Sequence, residues 1–74
     1  MPTYAFRWTG EEAATEVELP DEHAAWSQAV TTTGELLREM DGAFPVPGAL
    51  EMEVKDSAGH SIVWISVQAR RGHH

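Results

Sequence analysis

The stretch that decides the fold is Leu19–Gly42, which reads LPDEHAAWSQAVTTTGELLREMDG. Its apolar residues recur at spacings of three and four, the period of a helix with one buried face. Asp21 is a favoured N-cap after Pro20, and Gly42 after Asp41 can take the left-handed conformation that ends a helix. The residues predicted to face the core are Trp26, Ala29, Val30, Thr33, Leu36, Leu37 and Met40. Those predicted to lie toward solvent are Gln28, Thr31, Glu35 and Arg38.

The middle of this helix has weak intrinsic propensity, because three threonines at 31–33 precede Gly34. A glycine in a helix interior costs about 1 kcal/mol relative to alanine. The helix is therefore expected to depend on the packing of its apolar face. Gly34 either lets a strand or a second subunit approach closely, or is a tolerated weak point on the solvent side.

Four other segments alternate apolar and polar residues with the period of two that indicates strands. They cover residues 3–9, 15–19, 50–55 and 61–68. Gly10 lies in the short loop between the first two segments, and the sequence Asp56-Ser57-Ala58-Gly59 is a strong turn signal between the last two. Two hairpins on either side of the helix are therefore predicted.

The predicted fold is a single α+β domain over residues 1–71, with element order β-β-α-β-β. One helix is expected to cover one face of a four-stranded sheet, giving two layers. The first and fourth strands are the most apolar and are predicted to be central, whereas the second and third carry glutamates and are predicted to be edges. This gives the sheet order 2-1-4-3 of a β-grasp fold, with an all-antiparallel order 2-1-3-4 as the alternative.

Composition excludes several classes of function. The chain has 74 residues and a formal net charge of −7, from twelve acidic and five basic side chains. Nucleic-acid binders show the opposite balance, because phosphate contacts need lysine and arginine. There is no cysteine, no signal-peptide pattern and no apolar run long enough for a membrane span, so a cytoplasmic location without membrane contact is expected. Residues 72–74, Gly-His-His, are interpreted as a remnant of a purification tag.

No constellation of residues reaches the level of a catalytic or cofactor motif. Asp21 and His23 could form an acid–base pair at the helix start, but a cap and an exposed first-turn residue are the simpler interpretation. A metal site built from His23, His60 and Glu51 or Glu53 matches no compact ligand spacing. The expectation is a chain that is not an enzyme and carries no cofactor or metal.

Trp64 and Ile62 are the most informative apolar residues of the last strand. If Val63 and its alternate neighbours face the helix, these two lie on the open face of the sheet. An exposed aromatic patch on a small domain usually marks an interaction surface. The predicted protein interface consists of Arg7, Glu51, Glu53, Ile62 and Trp64, with Ala5 beside them. The alternative is that Trp64 lies flat over its strand neighbours or belongs to the core.

Three segments carry a resemblance to a known family. They are MPTYAF at 1–6, ELPDEHAA at 18–25 and LEMEVKDSAG at 50–59. The chain resembles short bacterial proteins of unknown function that open with M-P-x-Y-x-F, continue with E-L-P-D before an alanine-rich helix, and close with a V-x-D-x-x-G hairpin. Its first turn is shorter than is usual in those proteins, and the threonine-glycine segment interrupts the helix. The resemblance implies a fold and a bacterial cytoplasm, and no biochemical activity.

The leading functional expectation is a small non-enzymatic module for protein binding or assembly. Its partner is a protein, possibly a second copy in a homodimer, bound through the open sheet face or an edge strand. The alternative is an acidic regulator that occupies a basic partner, as a nucleic-acid mimic does. Its contact charges would be Glu11, Glu12, Glu16, Glu18, Glu51 and Glu53. A third hypothesis, a small hydrolase or transferase, depends on Asp21 and His23.

Overall fold

The computed structural model describes residues 1–40 and 42–72. Its elements are, in chain order, β1 (Thr3–Trp8), β2 (Thr15–Glu18), α1 (Glu22–Met40), β3 (Gly48–Lys55) and β4 (Ser61–Ala69). The predicted α+β class, element order and single helix are therefore confirmed. Asp41, which was predicted to stand at the helix end, and the histidines at 73 and 74 of the predicted tag remnant lie outside the described residues.

The four strands form one sheet in the order β2-β1-β3-β4, with every neighbouring pair antiparallel. The predicted β-grasp order 2-1-4-3 is wrong, and the all-antiparallel alternative 2-1-3-4 is confirmed. β1 and β3 are central, whereas β2 and β4 are the edges. The longest ladder joins β3 to β4 through the hairpin, from Gly48 opposite Ala69 to Lys55 opposite Ser61.

The predicted order is wrong because the glutamates of β3 do not mark an edge strand. In β3 the alternating residues Met52 and Val54 are the most deeply buried large side chains of the protein. Glu51 and Glu53 point to the opposite face, where polar partners on neighbouring strands receive them. A central strand in a two-layer fold needs only one apolar face, so carboxylates on its other face do not exclude it.

The core lies between α1 and the centre of the sheet. Its buried apolar residues are Tyr4, Phe6, Ala25, Ala29, Met52 and Val54. The two alanines have no exposed surface, which places the helix backbone close to the large side chains of β1 and β3. Small residues on the helix and large residues on the sheet thus fill the space between the layers together.

The buried face of α1 differs from the predicted one. It is centred on Ala25, Ala29 and Thr33, whereas Trp26 and Val30 are each 47% exposed. The helix is therefore rotated about its axis, so that small side chains face the sheet and the tryptophan lies on a flank. Gln28, which was predicted to lie toward solvent, is half-buried on the other flank.

Hydrogen bonds fix the start and the middle of α1. The backbone amide of Ala24 donates to Asp21 Oδ1 at 2.8 Å, which confirms the predicted N-cap. The buried hydroxyl of Thr33 donates to the carbonyl oxygen of Ala29 at 2.8 Å, so the one buried polar side chain among the described residues is satisfied within its own helix. After the helix, Gly42 has a φ of 87°, as expected for a residue that ends a helix.

The turn between β3 and β4 is organised by Asp56. Its Oδ1 accepts hydrogen bonds from the backbone amides of His60 at 2.9 Å and Ala58 at 3.0 Å. These two bonds, the first above all, hold the pKa of the Asp56 carboxyl below its ordinary value, although partial burial opposes them. Gly59, with a φ of 87°, supplies the left-handed residue of the predicted turn.

We predict that Asp21→Ala lowers the free energy of unfolding by about 1 kcal/mol, the usual cost of a lost N-cap. His23→Ala is the matched control, since His23 is an exposed residue of the same helical turn. Urea unfolding monitored by circular dichroism measures both variants. Equal stability of the two variants would contradict the role given to Asp21.

We also predict that the contribution of Asp56 to stability depends on pH. Because its pKa is lowered in the folded state, that contribution is present above the unfolded pKa of about 3.9. It is lost as the pH falls from there through the folded value. Urea unfolding of the wild type and Asp56→Asn over a pH series should give a stability difference that shrinks on acidification. A difference independent of pH would show that the carboxylate charge plays no part.

Candidate protein-binding surfaces

The open face of the sheet, which α1 does not cover, holds four of the five predicted interface residues, and three of them form one row across the strands. Arg7 of β1 pairs in register with Glu53 of β3, which pairs in register with Trp64 of β4. Arg7 Nη2 lies 3.8 Å from Glu53 Oε1. Trp64 is 56% exposed at the end of this row. The row thus runs from an ion pair at the sheet centre to an exposed indole at the β4 edge.

Both glutamates of β3 are engaged within the chain. Glu51 Oε2 accepts a hydrogen bond from Ser66 Oγ at 2.9 Å. Glu53 accepts one from Ser61 Oγ in addition to its contact with Arg7, and its side chain is only 11% exposed. These two carboxylates are therefore less available to a basic partner than the alternative functional hypothesis requires.

Ile62 does not share the open face with Trp64 as predicted. Between Val54 and Lys55 the register with β4 shifts, so that Lys55 pairs with Ser61 and Ile62 is the extra residue of a bulge. Ile62 is half-buried and packs against the core cluster. A bulge interrupts the alternation of side chains along a strand, and the sequence pattern alone does not locate it. Trp64 is thus the large apolar residue of the open face, in polar surroundings.

The two edges of the sheet differ in length and in charge. β2 has four residues, TEVE, of which Glu16 and Glu18 are exposed. β4 has nine residues, SIVWISVQA, with no charged side chain and no proline. Edge strands in soluble proteins are normally short or are protected by charge, proline or a cover. In the part of the chain that the structure describes, β4 is a long edge strand with no charge, proline or cover, and its bulge at Ile62 leaves Val63–Ala69 regular.

The exposed flank of α1 lies on the same side of the molecule as β4. Gln28 and Thr32, on the opposite flank, line a pocket together with residues of β1 and β2. Trp26 and Val30 therefore face the β4 side, because they lie on the other side of the helix axis. We call this surface, formed by Trp26, Val30 and the exposed Gly34, the helix flank. Sequence reasoning placed its two apolar residues in the core and so missed it.

The pocket between α1 and the β1–β2 hairpin has a volume of about 190 Å³. Its lining combines apolar residues with polar groups: Phe6, Trp8, Glu11, Thr15, Val17, Gln28, Thr32 and Met52. Glu11 Oε1 already accepts the backbone amide of Trp8 at 2.9 Å, and Gln28 donates to Thr32 at 3.1 Å. Pockets for drug-sized ligands are usually about 300–1,000 Å³, so this one has room for a side chain or a very small molecule.

The residues considered for catalysis or metal binding have other roles or are exposed. Asp21 is occupied as the helix cap, and His23, two residues farther along, is exposed. His60 lies in the turn before β4, where its Nδ1 is 3.6 Å from Asp56 Oδ2. Among the described residues, no group of three or more histidine, aspartate or glutamate side chains is arranged to hold a metal ion.

In the described part of the chain, no helix combines the length and hydropathy needed to cross a bilayer.

Comparison with known proteins identifies the family. No curated protein and no solved structure matches the sequence significantly. A family model described as a domain of unknown function, DUF6894, matches residues 4–68, which run from β1 into β4 and include α1. Because this match covers most of the sequence, the chain belongs to the DUF6894 family.

Proposed function

We propose that this protein is a small non-enzymatic module for protein binding or assembly, and that β4 is its binding element. The observation that carries the proposal is the long edge strand without charge or proline, with Trp64 exposed beside it. The partner is a protein, either a second copy or another chain that adds an extended segment to the sheet. The net charge of −7 argues against nucleic acid as a partner.

Strand addition is the binding mode that this edge suits. The outer side of β4 presents backbone amides and carbonyls that have no strand beside them among the described residues. An added strand satisfies these groups in a regular ladder, which supplies affinity, while side chains on alternate positions supply specificity. Val63, Ile65 and Val67 face α1 but remain half-buried, so an added strand would also remove apolar surface from water.

Trp64 adds a side-chain anchor on the opposite face. It lies next to the Arg7–Glu53 ion pair, so the exposed apolar ring has charged side chains beside it. Buried aromatic anchors with polar surroundings are typical of the residues that dominate binding energy in protein interfaces. The absence of cysteine and the bacterial resemblance support a reducing bacterial cytoplasm as the compartment.

We predict that Trp64→Lys abolishes binding through β4 without unfolding the domain. Trp64 is more than half exposed, and lysine on an edge strand is a residue that natural proteins use to prevent strand addition. Thr31→Lys, on the exposed side of α1, is the control for added charge. The measurement is capture of proteins, including differently tagged copies of the chain, by each immobilised variant.

The wild type and Thr31→Lys should retain the same proteins, and Trp64→Lys should lose them. Circular dichroism and urea unfolding check that each variant is folded. Identical captured proteins for all three folded variants would overturn the proposal.

A second candidate function is an acidic regulator that occupies a basic partner. It is favoured by the exposed glutamates of the β1–β2 hairpin, which are Glu11, Glu12, Glu16 and Glu18. The contacts of Glu51 and Glu53 with Ser66, Arg7 and Ser61 weaken it, because those carboxylates already have partners. The four hairpin carboxylates could equally keep the β2 edge soluble and apart from other strands.

Salt separates the two candidate functions. Surface charges are strongly screened between low and moderate ionic strength, whereas apolar contact and strand pairing are not. We predict that captured partners remain bound at about 0.5 M salt, where the Debye length is only several ångströms. Loss of binding on adding salt, and on changing Glu16 and Glu18 to glutamine, would favour the acidic regulator instead.

A further inference from the structure

We propose that the occupant of β4 is a second copy of this chain, related by a two-fold axis perpendicular to the sheet. The two β4 strands would pair antiparallel and join both sheets into one of eight strands, with both helices on the same face. This inference rests on the proposed function, because it takes β4 as a binding edge and names its partner.

The regular part of β4 defines the register. Ile62 lies in the bulge, so the uninterrupted strand is Val63–Ala69, and its central residue is Ser66. A two-fold axis at Ser66 pairs all seven residues of this segment. It places Ile65 opposite the partner subunit's Val67, and Trp64 opposite the partner subunit's Gln68. Directly opposed residues in an antiparallel pair share a face, so the apolar residues meet beneath the helices and the tryptophans stay on the open face.

The helix flank can meet its copy about the same axis. Thr32 and Met52 line one pocket, and Met52 pairs with Ile65, so Ser66 lies about level with Gly34 along the helix. In an antiparallel pair of helices that cross there, the two glycines face each other, and their missing side chains let the backbones approach closely.

Gly34 has no role in close packing within a single copy. Apart from its chain neighbours and the nearby backbone of α1, no heavy atom of the described residues lies within 4 Å of the position that a Cβ would occupy there. The glycine is exposed in a helix interior, where alanine is favoured. A second helix packed on this flank supplies a physical reason for the missing side chain.

The position of α1 over the sheet gives the two helices contact distance. The helix has its closest strand neighbours in β4 and β3. Strands lie about 4.8 Å apart, so a helix above the β3–β4 boundary is about 5 Å from an axis just outside β4. Two such helices are therefore roughly 10 Å apart across the axis, near the 8–10 Å at which helices pack.

The direction of α1 along β4 is also consistent with the proposed two-fold axis. The backbone amide of Leu19 donates to the carbonyl oxygen of Pro2 at 3.0 Å, which places the approach to the helix beside the start of β1. Burial above all, and then Glu22 and Asp21, raise the pKa of the Tyr4 phenol in β1, as expected from this placement. That end of the sheet is where β4 begins, opposite the end of β3. Farther along the helix, Thr32 lines the same pocket as Trp8 and Met52. The helix thus runs along β4 in the same direction, and a two-fold axis makes both helices and strands antiparallel.

Charge leaves this side of the molecule free for a second copy. Each copy carries a net charge of −7, so most approaches are repulsive. β4 contains no charged residue, and Glu35 and Glu39 lie on the flank of α1 that carries Gln28 and Thr32. Two copies can therefore meet along β4 and the helix flank without opposing carboxylates.

Cross-linking of a single introduced cysteine tests the register. The native chain has no cysteine, so Ser66→Cys reports on this position alone. Residues directly opposite in an antiparallel pair have Cβ atoms about 4.5–5.5 Å apart, close enough for a disulfide after small adjustment. Under mild oxidation Ser66→Cys should become mostly covalent dimer. Ser27→Cys, exposed on the outer side of α1, is the matched control and should remain mostly monomeric. Equal cross-linking of the two variants would overturn the proposed register.

Light scattering of the untagged protein tests the helix contact. The wild type should be a dimer, and Trp64→Lys a folded monomer. Gly34→Gln should raise the dimer dissociation constant roughly tenfold or more, because over-packing a close contact is costly. Thr31→Gln, a polar replacement at an exposed position on the same helix, should leave it unchanged. Urea unfolding of both variants at low protein concentration checks that the monomer of each variant is folded.

Failure of this inference differs from failure of the proposed function. A monomeric wild type that still captures another protein in a Trp64-dependent manner would overturn the two-fold dimer and leave the binding edge standing. A dimer whose mass is unaffected by Trp64→Lys and Gly34→Gln would overturn the two-fold arrangement through β4. Loss of both self-association and Trp64-dependent capture would overturn both.

Discussion

The structure depends on the close approach of α1 to the centre of the sheet. Ala25 and Ala29 are fully buried against a surface built from Phe6 and Val54, so the contact joins almost bare helix backbone to large strand side chains. Apolar burial is the main favourable contribution to folding, and a chain of 74 residues buries little more apolar surface than it needs. The rotation of the helix, the exposure of its flank and the position of the pocket all follow from which residues make this contact.

One helix cannot cover a four-stranded sheet evenly. α1 lies over β3 and β4, and the space beside it above β1 and β2 remains as the pocket. The acidic hairpin keeps the β2 edge solvated, whereas the β4 edge has neither charge nor proline. The two sides of the molecule are therefore chemically different: one carries carboxylates, and the other is apolar and, among the described residues, has no strand beside its outer backbone groups. This asymmetry is the basis of the functional proposals.

The sequence was sufficient for every element and for both turns, because each has a local cause. The carboxylate of Asp21 caps the helix, and Gly59 takes the left-handed turn position; these are properties of one residue and its neighbours. Strand order was not predictable in the same way. The glutamates of β3 indicated an edge only until their partners on β1 and β4 were known, and those partners are far away in sequence.

In the candidate interface, too, local patterns were predictable from the sequence and contacts with distant residues were not. Trp64 was placed correctly on the open face, because alternation along a strand is local. Ile62 was misplaced by a bulge that depends on pairing with β3. Trp26 was assigned to the core because large apolar residues usually lie there. The helix instead buries Ala25 and Ala29, since the sheet already supplies the large side chains, and only the opposing layer reveals that.

The order of strands also sets when the molecule can fold during synthesis. β1 is the first strand to be made, yet its central neighbour β3 follows only after β2 and the whole of α1. Two hydrogen bonds between Thr3 and Ser57 then tie the beginning of the chain to the last turn. During synthesis the inner edge of β1 therefore stays open until β3 has emerged from the ribosome. The sheet reaches its native order only after β1, β2, α1 and β3 have all been made.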